Sequence, residues 1–365
     1  MSDHLSTHAR RRRGICVVPE VITWDVCVLR VIVGAASFVV CLPGHEYQPW
    51  LARFDSGALD VELQAVASTP PTRSLRSVPR AVRHAQRRRP PRMGIEHEFE
   101  VRQGGHVVDF RRLLPQLLNG QVRADPADPL AVRLPFGVIT ADGLEAEIAT
   151  APIDLTPGFV SRAVMAAADG ERALRQACPA DHELTGFSTH ISVSWNPRRD
   201  DRLSCMWARI FAPVMMLLLD RPTSPGLIVR PRPGRLELCG EYCSGHQLAA
   251  AVAFAVASVR TIEQVSAGSL RDCFVDMTLV PALDRYGWYV DRAAFHGSDL
   301  YTLGRSLRLE RRSGTVSAGQ HFDEMLEMVD AQLQLIGNPD DVASLRRARN
   351  GSIELPLVAN GQLHA

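Results

Sequence analysis

Four stretches of this sequence alternate polar and apolar residues with period two, a pattern that calls for a β-sheet with two unlike faces. The first, GIEHEFEV at residues 94–101, puts Glu96, Glu98 and Glu100 at every second position, with Ile95, His97, Phe99 and Val101 between them. The second, GLEAEIAT, sets Glu145 and Glu147 against Leu144, Ala146 and Ile148. The third, GFSTHISVSW, sets Ser188, His190, Ser192 and Ser194 against Phe187, Ile191, Val193 and Trp195. The fourth, GRLELCG, sets Arg235, Glu237 and Cys239 against Leu236 and Leu238. Each apolar set belongs to a core. Same-face neighbours along a strand are only about 7 Å apart, so the glutamates of the first stretch repel one another unless a counter-charge lies over them.

Solvated faces usually mix opposite charges. Here the first two stretches are purely acidic on that face, and the third supplies its ring nitrogen. Three readings follow. The face holds a hard divalent cation such as Mg2+ or Mn2+, which takes oxygen ligands and, for Mn2+, a histidine. Or it is an ordinary solvated face, or an ion-pair network with arginine. His97 falls on the core side and is expected as a hydrogen-bonded structural histidine.

Helical signals fill the spaces between these strands. Thr156 as N-cap and Pro157 at the first position open a helix through FVSRAVMAAADGERALRQA. LSCMWARIFAPVMMLLLD, HQLAAAVAFAVASVRTIEQVS, HFDEMLEMVDAQLQLIG and DDVASLRRARNG also read as helices, and RLLPQLLN as a short one interrupted by Pro115. Without a regular βαβ rhythm or a Gly-rich nucleotide fingerprint, the fold class is α+β. A mainly antiparallel sheet presents a carboxylate-lined face, with helices packed on the other.

All 41 Lys and Arg residues are arginine. This excludes the P-loop lysine, Schiff-base chemistry and lysyl intermediates. Phosphate must be handled by Arg, backbone N–H groups or metal. The eight cysteines include no CxxC pair, so a reducing cytoplasm is expected. Cys239, Cys243 and His246 have zinc-like spacing but no fourth ligand nearby.

Residues 1–92 carry 14 Arg against 7 acids, a net +7, whereas 93–365 carry 27 against 33, a net −6. The first part is expected to be a basic, partly disordered N-terminal extension. Its residues 66–92, rich in Pro and Arg, read as a linker. Met93 makes a natural start for a folded domain over 93–365, with the preceding residues an accessory extension or an upstream translation. Residues 15–43 raise an export signal, but their uninterrupted apolar run of 12 residues is too short to span a bilayer. Nucleic acid could be met only by the basic extension.

Taken in order, these motifs resemble the glutamate–cysteine ligase and carboxylate–amine ligase families, and the looser amidoligase group, whose fold is related to the catalytic domain of glutamine synthetase. GIEHEF resembles their GxExEF opening strand, DGLEAEIATAP their second acidic segment and FSTHISVS their histidine strand. RPRPGRLELCGEY resembles their RPxP…GxxExR strand, and SLRLERRSGTVSAGQHFDEMLEMVDAQLQLIG with SLRRARNG their C-terminal region. The resemblance covers about residues 94–351. It implies amide-bond formation driven by ATP through an acyl phosphate, on amino-acid or peptide substrates, with Mg2+ or Mn2+ held by glutamates. Glu96, Glu98, Glu147 and Glu237 become metal ligands, and His190 a metal or phosphate ligand. Arg232 and Arg235 become contacts to phosphate or to the substrate carboxylate. Two positions depart from the pattern: Ser188 stands where the families often have a first histidine, and Cys239 where they often have an arginine. These departures leave open a non-catalytic regulatory or binding protein that keeps the fold, and a metal-dependent hydrolase is a third reading. The sequence leaves oligomeric state open.

Overall fold

The alternating stretch at 94–101 becomes a central strand of a large antiparallel sheet in the computed structural model of the chain. It describes residues 10–12, 14–22, 26–33, 36–43, 47–60, 91–117, 123–125, 128–195, 200–219, 224–264, 270–282, 287–353 and 355. Two compact units are present, Met1–Arg89 and Pro90–Ala365.

In the first unit, β1 (Arg10–Arg12), β2 (Ile15–Ile22), β3 (Val26–Val33) and β4 (Ala36–Pro43) pair antiparallel in chain order. Ile15, Val17, Leu29 and Val31 share a core with Trp50 and Phe54 of helix α1 (Tyr47–Ser56). The stretch weighed as an export signal therefore forms three strands. No helix among the described residues is long and apolar enough to cross a membrane. Residues 66–90 of the linker reading lie outside the described residues.

The second unit opens with β5 (Arg92–Gln103), β6 (His106–Val107), α2 (Phe110–Leu117), β7 (Arg123–Asp125), β8 (Asp128–Leu134) and β9 (Gly137–Asp142). Next come β10 (Glu145–Thr150), β11 (Ile153–Asp154), α3 (Phe159–Ala177), β12 (His182–Ser194), α4 (Asp200–Leu219), β13 (Gly226–Arg232) and β14 (Arg235–Glu241). The chain continues through α5 (Gly245–Gln264), β15 (Val280–Pro281), β16 (Trp288–Asp291), α6 (Leu300–Leu303), β17 (Arg308–Arg311), β18 (Gly314–Ser317), α7 (Ala318–Ile336) and α8 (Pro339–Arg349). Twelve strands form one antiparallel sheet in the order β15-β16-β13-β14-β12-β5-β10-β9-β8-β7, with β6 and β11 also on β5. The fold is α+β. On one side of the sheet, Ile95, Ile191, Val193, Leu227, Val229, Leu236 and Leu238 pack against the helices in a single core. Helix α5, buried on nearly every side from Leu248 to Ile262, lies at the centre of this layer against α3, α4, α7 and α8, as a helix apolar all round must.

Two local expectations change. Helix α3 begins at Phe159 with Gly158, not Thr156, as its N-cap, and Gly158 offers no side-chain cap. The cap comes instead from the buried Asp341 of α8, whose carboxylate accepts the N–H groups of Gly158 at 2.7 Å and Val160 at 3.0 Å. His97 is buried on the core side as expected, but neither ring nitrogen has a hydrogen-bond partner among the described residues.

His321 of α7 is also buried. Its Nε2–H donates to the Ile210 carbonyl at 2.7 Å, and Nδ1 lies 3.4 Å from Arg311 Nη1. Burial, reinforced by the Arg311 charge, lowers its pKa from 6.5 to about 4. The unfolded chain therefore takes up this proton first as pH falls. The stability His321 contributes is present above pH 6.5 and is lost between 6.5 and about 4, on the order of 3 kcal/mol in all. Denaturant unfolding across that range should show a shallower pH slope in His321→Gln than in the wild type, and equal slopes would contradict this account.

Candidate functional site

Strand register decides which side chains meet. Across β14, β12, β5 and β10, one row reads Cys239, His190, Glu96, Ala149, and the next Glu241, Ser188, Glu98, Glu147. Glu237 lies opposite Ser192 on β12 and Arg230 on β13, and Arg232 lies opposite Arg235. All the candidate ligands and arginines singled out in the sequence thus share the sheet face away from the helices. The middle of this face is shielded from solvent: Glu237 is 1% exposed, Glu98 7% and His190 8%, whereas Glu96 and Glu147 are half-buried and the edge is open.

Two groups of ligand atoms converge there, each within 4.8 Å: Glu96, His190 and Glu237 in one, Glu98, Asp142 and Glu147 in the other. Asp142 was not singled out in the sequence. It ends β9 just before the tight turn to β10, opposite Glu145, so its signal was the Asp-Gly turn itself. Among the described residues no such group includes Cys239, Cys243 and His246.

His190 sits between the groups. Its Nδ1 is 3.3 Å from Glu96 Oε2, and its Nε2 is 3.2 Å from Ser188 Oγ and 3.7 Å from Glu98 Oε1. Ser188 donates its hydroxyl proton to Glu98 at 2.6 Å, so its oxygen is left to accept from Nε2–H. Both ring nitrogens then carry protons. Burial lowers the His190 pKa, but the Glu96 hydrogen bond and the charges of Glu98, Glu96 and Glu237 outweigh it and hold the pKa above its usual value. A cation ligated by His190 would have to displace one of those protons. Ser188, read in the sequence as a missing histidine, is the bridge between His190 and Glu98.

Comparisons with known proteins add little. No protein-family model matches the chain, and no curated protein does. Among solved structures, the complex between the prokaryotic ubiquitin-like protein Pup and its ligase PafA is similar at a TM-score of 0.42 and 14% identity, covering 75% of this chain and 68% of that one.

The charges on the face are unevenly balanced. Burial first, then the charges of Glu96, Glu98 and Asp142, raise the Glu147 pKa to about 8. Glu96 goes the other way: burial raises it, but His190, Arg235 and Arg230 prevail and hold it below the usual carboxylate range. Glu237 Oε2 accepts from Arg230 Nη1 at 2.9 Å and from Arg232 Nε at 3.1 Å. Cys239, where an arginine was expected, is buried, and burial pushes its thiol up so that it stays neutral. Arg230, two register pairs along, brings a guanidinium to the same face. Glu100 is not part of either group and pairs with Arg102 at 2.5 Å. Two surface hollows of about 370 and 450 Å³, lined in part by Glu171 and Arg175 and by Asp323 and Arg346, contain none of these residues.

The donor set fits divalent cations and an anion. One group is all carboxylate, suited to a hard cation, and the other adds a histidine. Beside them Ser192 Oγ, Arg230 Nε and Arg235 Nε are buried without a hydrogen-bond partner. Arg232 and Arg235 lie directly opposite each other with like charge, an arrangement an anion between them would relieve.

Proposed function

We propose that this chain is an ATP- and Mg2+-dependent carboxylate–amine ligase, joining a glutamate-like or peptide carboxylate to an amine through an acyl phosphate. The observation that carries the reading is the convergence of two three-ligand groups on one face of the sheet. The motif order along residues 94–351 supports it. Glu98, Asp142 and Glu147 would hold one cation, and Glu96, His190 and Glu237 a second. Bound Mg2+ would neutralise phosphate charge and that of the transferring group. Arg235 and Arg232 bind anionic oxygens of the phosphates or of the substrate carboxylate, a task suited to guanidinium. Arg230 holds Glu237 in place through its Oε2. Ser188 and His190 orient Glu98 and Glu96.

A second reading, a binding protein that keeps the fold without catalysis, is favoured by Glu237, which two arginines already neutralise. Thermal unfolding with ATP, with and without Mg2+, followed by ADP release on a panel of amino acids and amines, separates the two. The ligase is expected to be stabilised by Mg2+ with ATP and to release ADP when carboxylate and amine are both present. No stabilisation would overturn the ligase reading, and stabilisation without turnover would favour the second. Hydrolysis without ATP would point to a metal-dependent hydrolase.

A further inference from the structure

Strand β12 carries one residue more than its partner. Glu183 and Thr185 lie opposite Arg102 and Glu100, Gly186 lies opposite Phe99, and after a bulge Ser188 lies opposite Glu98. The residues opposite Glu98, Glu100 and Arg102 share the carboxylate face, since paired residues point the same way. Position 187 continues the phase of Glu183 and Thr185, while Ser188 begins the phase of His190. The bulge therefore turns both Phe187 and Ser188 toward the carboxylate face, a re-aiming that bulges beside functional sites often perform.

Phe187 is 51% exposed and is the only aromatic among the exposed large hydrophobic side chains of the described residues. A Cβ on Gly186 would fall 2.2 Å from the Tyr242 ring, so only glycine admits that ring beneath the bulge. Tyr242 in turn packs on Phe99 at 5.3 Å and donates to Glu171 at 2.7 Å. An exposed aromatic ring thus stands one residue from Ser188, whose hydroxyl reaches Glu98.

We propose that Phe187 is the platform on which the base of the bound nucleotide stacks, its phosphates directed to the group of Glu98, Asp142 and Glu147. This rests on the nucleotide reading above. Successive same-face rows are about 7 Å apart, so a base over Phe187 leaves its phosphates within reach of the carboxylates. Stacking on an aromatic tolerates any base, because every base has a π-face.

The test compares Mg·ATP with Mg·tripolyphosphate, which lacks the base, on the full chain by calorimetry. Phe187→Ala should weaken Mg·ATP binding by roughly 10- to 100-fold and leave Mg·tripolyphosphate within about twofold. Phe187→Trp should keep the ATP affinity, with its added indole fluorescence quenched by Mg·ATP and not by Mg·tripolyphosphate. Equal loss for both ligands would make Phe187 a structural support of the carboxylates, and unchanged Mg·ATP binding would leave it to a peptide or aliphatic substrate group. Either result overturns the platform while the nucleotide reading stands. A wild-type chain that binds no Mg·ATP overturns both.

Discussion

Replacing Glu98 with alanine is expected to abolish Mg2+-dependent ATP binding, with a loss of at least about 100-fold. Removing groups that merely orient metal ligands already costs roughly 10- to 100-fold, and Glu98 belongs to a candidate ligand group itself. It also accepts the Ser188 hydroxyl and faces His190, so its loss releases both. With one carboxylate fewer nearby, the His190 pKa falls toward its usual value, since the Glu98 charge is among those that raise it. Glu100→Ala is the control. That residue pairs with the half-exposed Arg102 outside both groups, and a surface ion pair of that kind contributes little. Calorimetry with Mg·ATP checks both variants; unchanged affinity in Glu98→Ala would remove Glu98 from the site.

The second large effect is structural. Asp341→Ala should destabilise the second unit by about 3 kcal/mol or more. The carboxylate is fully buried and accepts three backbone N–H groups, from Gly158, Val160 and Asn338. It therefore caps the first turn of α3 and closes the capping box of α8 at once. Asp341→Asn, which keeps one acceptor oxygen, should fall between the two. A shift in denaturant midpoint equivalent to less than about 1 kcal/mol would show that water replaces the carboxylate.

The sheet was legible because alternation is a local property. Each of the four stretches declared its apolar face, and β5, β10, β12 and β14 carry those faces into the core, except for Phe187, which the bulge in β12 turns to the other face, and Leu144, both of which are exposed. Strand β13, GLIVRPR, has no clean alternation because it is buried on both sides over much of its length, so its pairing with β14 and the approach of Arg230 to Glu237 could not be read. The α3 cap was misread for the opposite reason. Thr156 and Pro157 form a good local signal, but the actual capping group is 181 residues from Val160 in sequence. Asp142 and Ser188 were visible as residue types and not as site members, since only the registers of β9 with β10 and of β12 with β5 bring them in.

Strand β5 gives Glu96 to one candidate ligand group and Glu98 to the other. The pleat is then a ruler. Two charges bound over neighbouring positions are spaced by backbone repeat, about 7 Å per two residues, and no loop lies between them to adjust the gap. A single-residue slip of β5 would carry both glutamates through the sheet to the helix side and put His97 in their place. The two positions can be lost together, but they cannot drift apart.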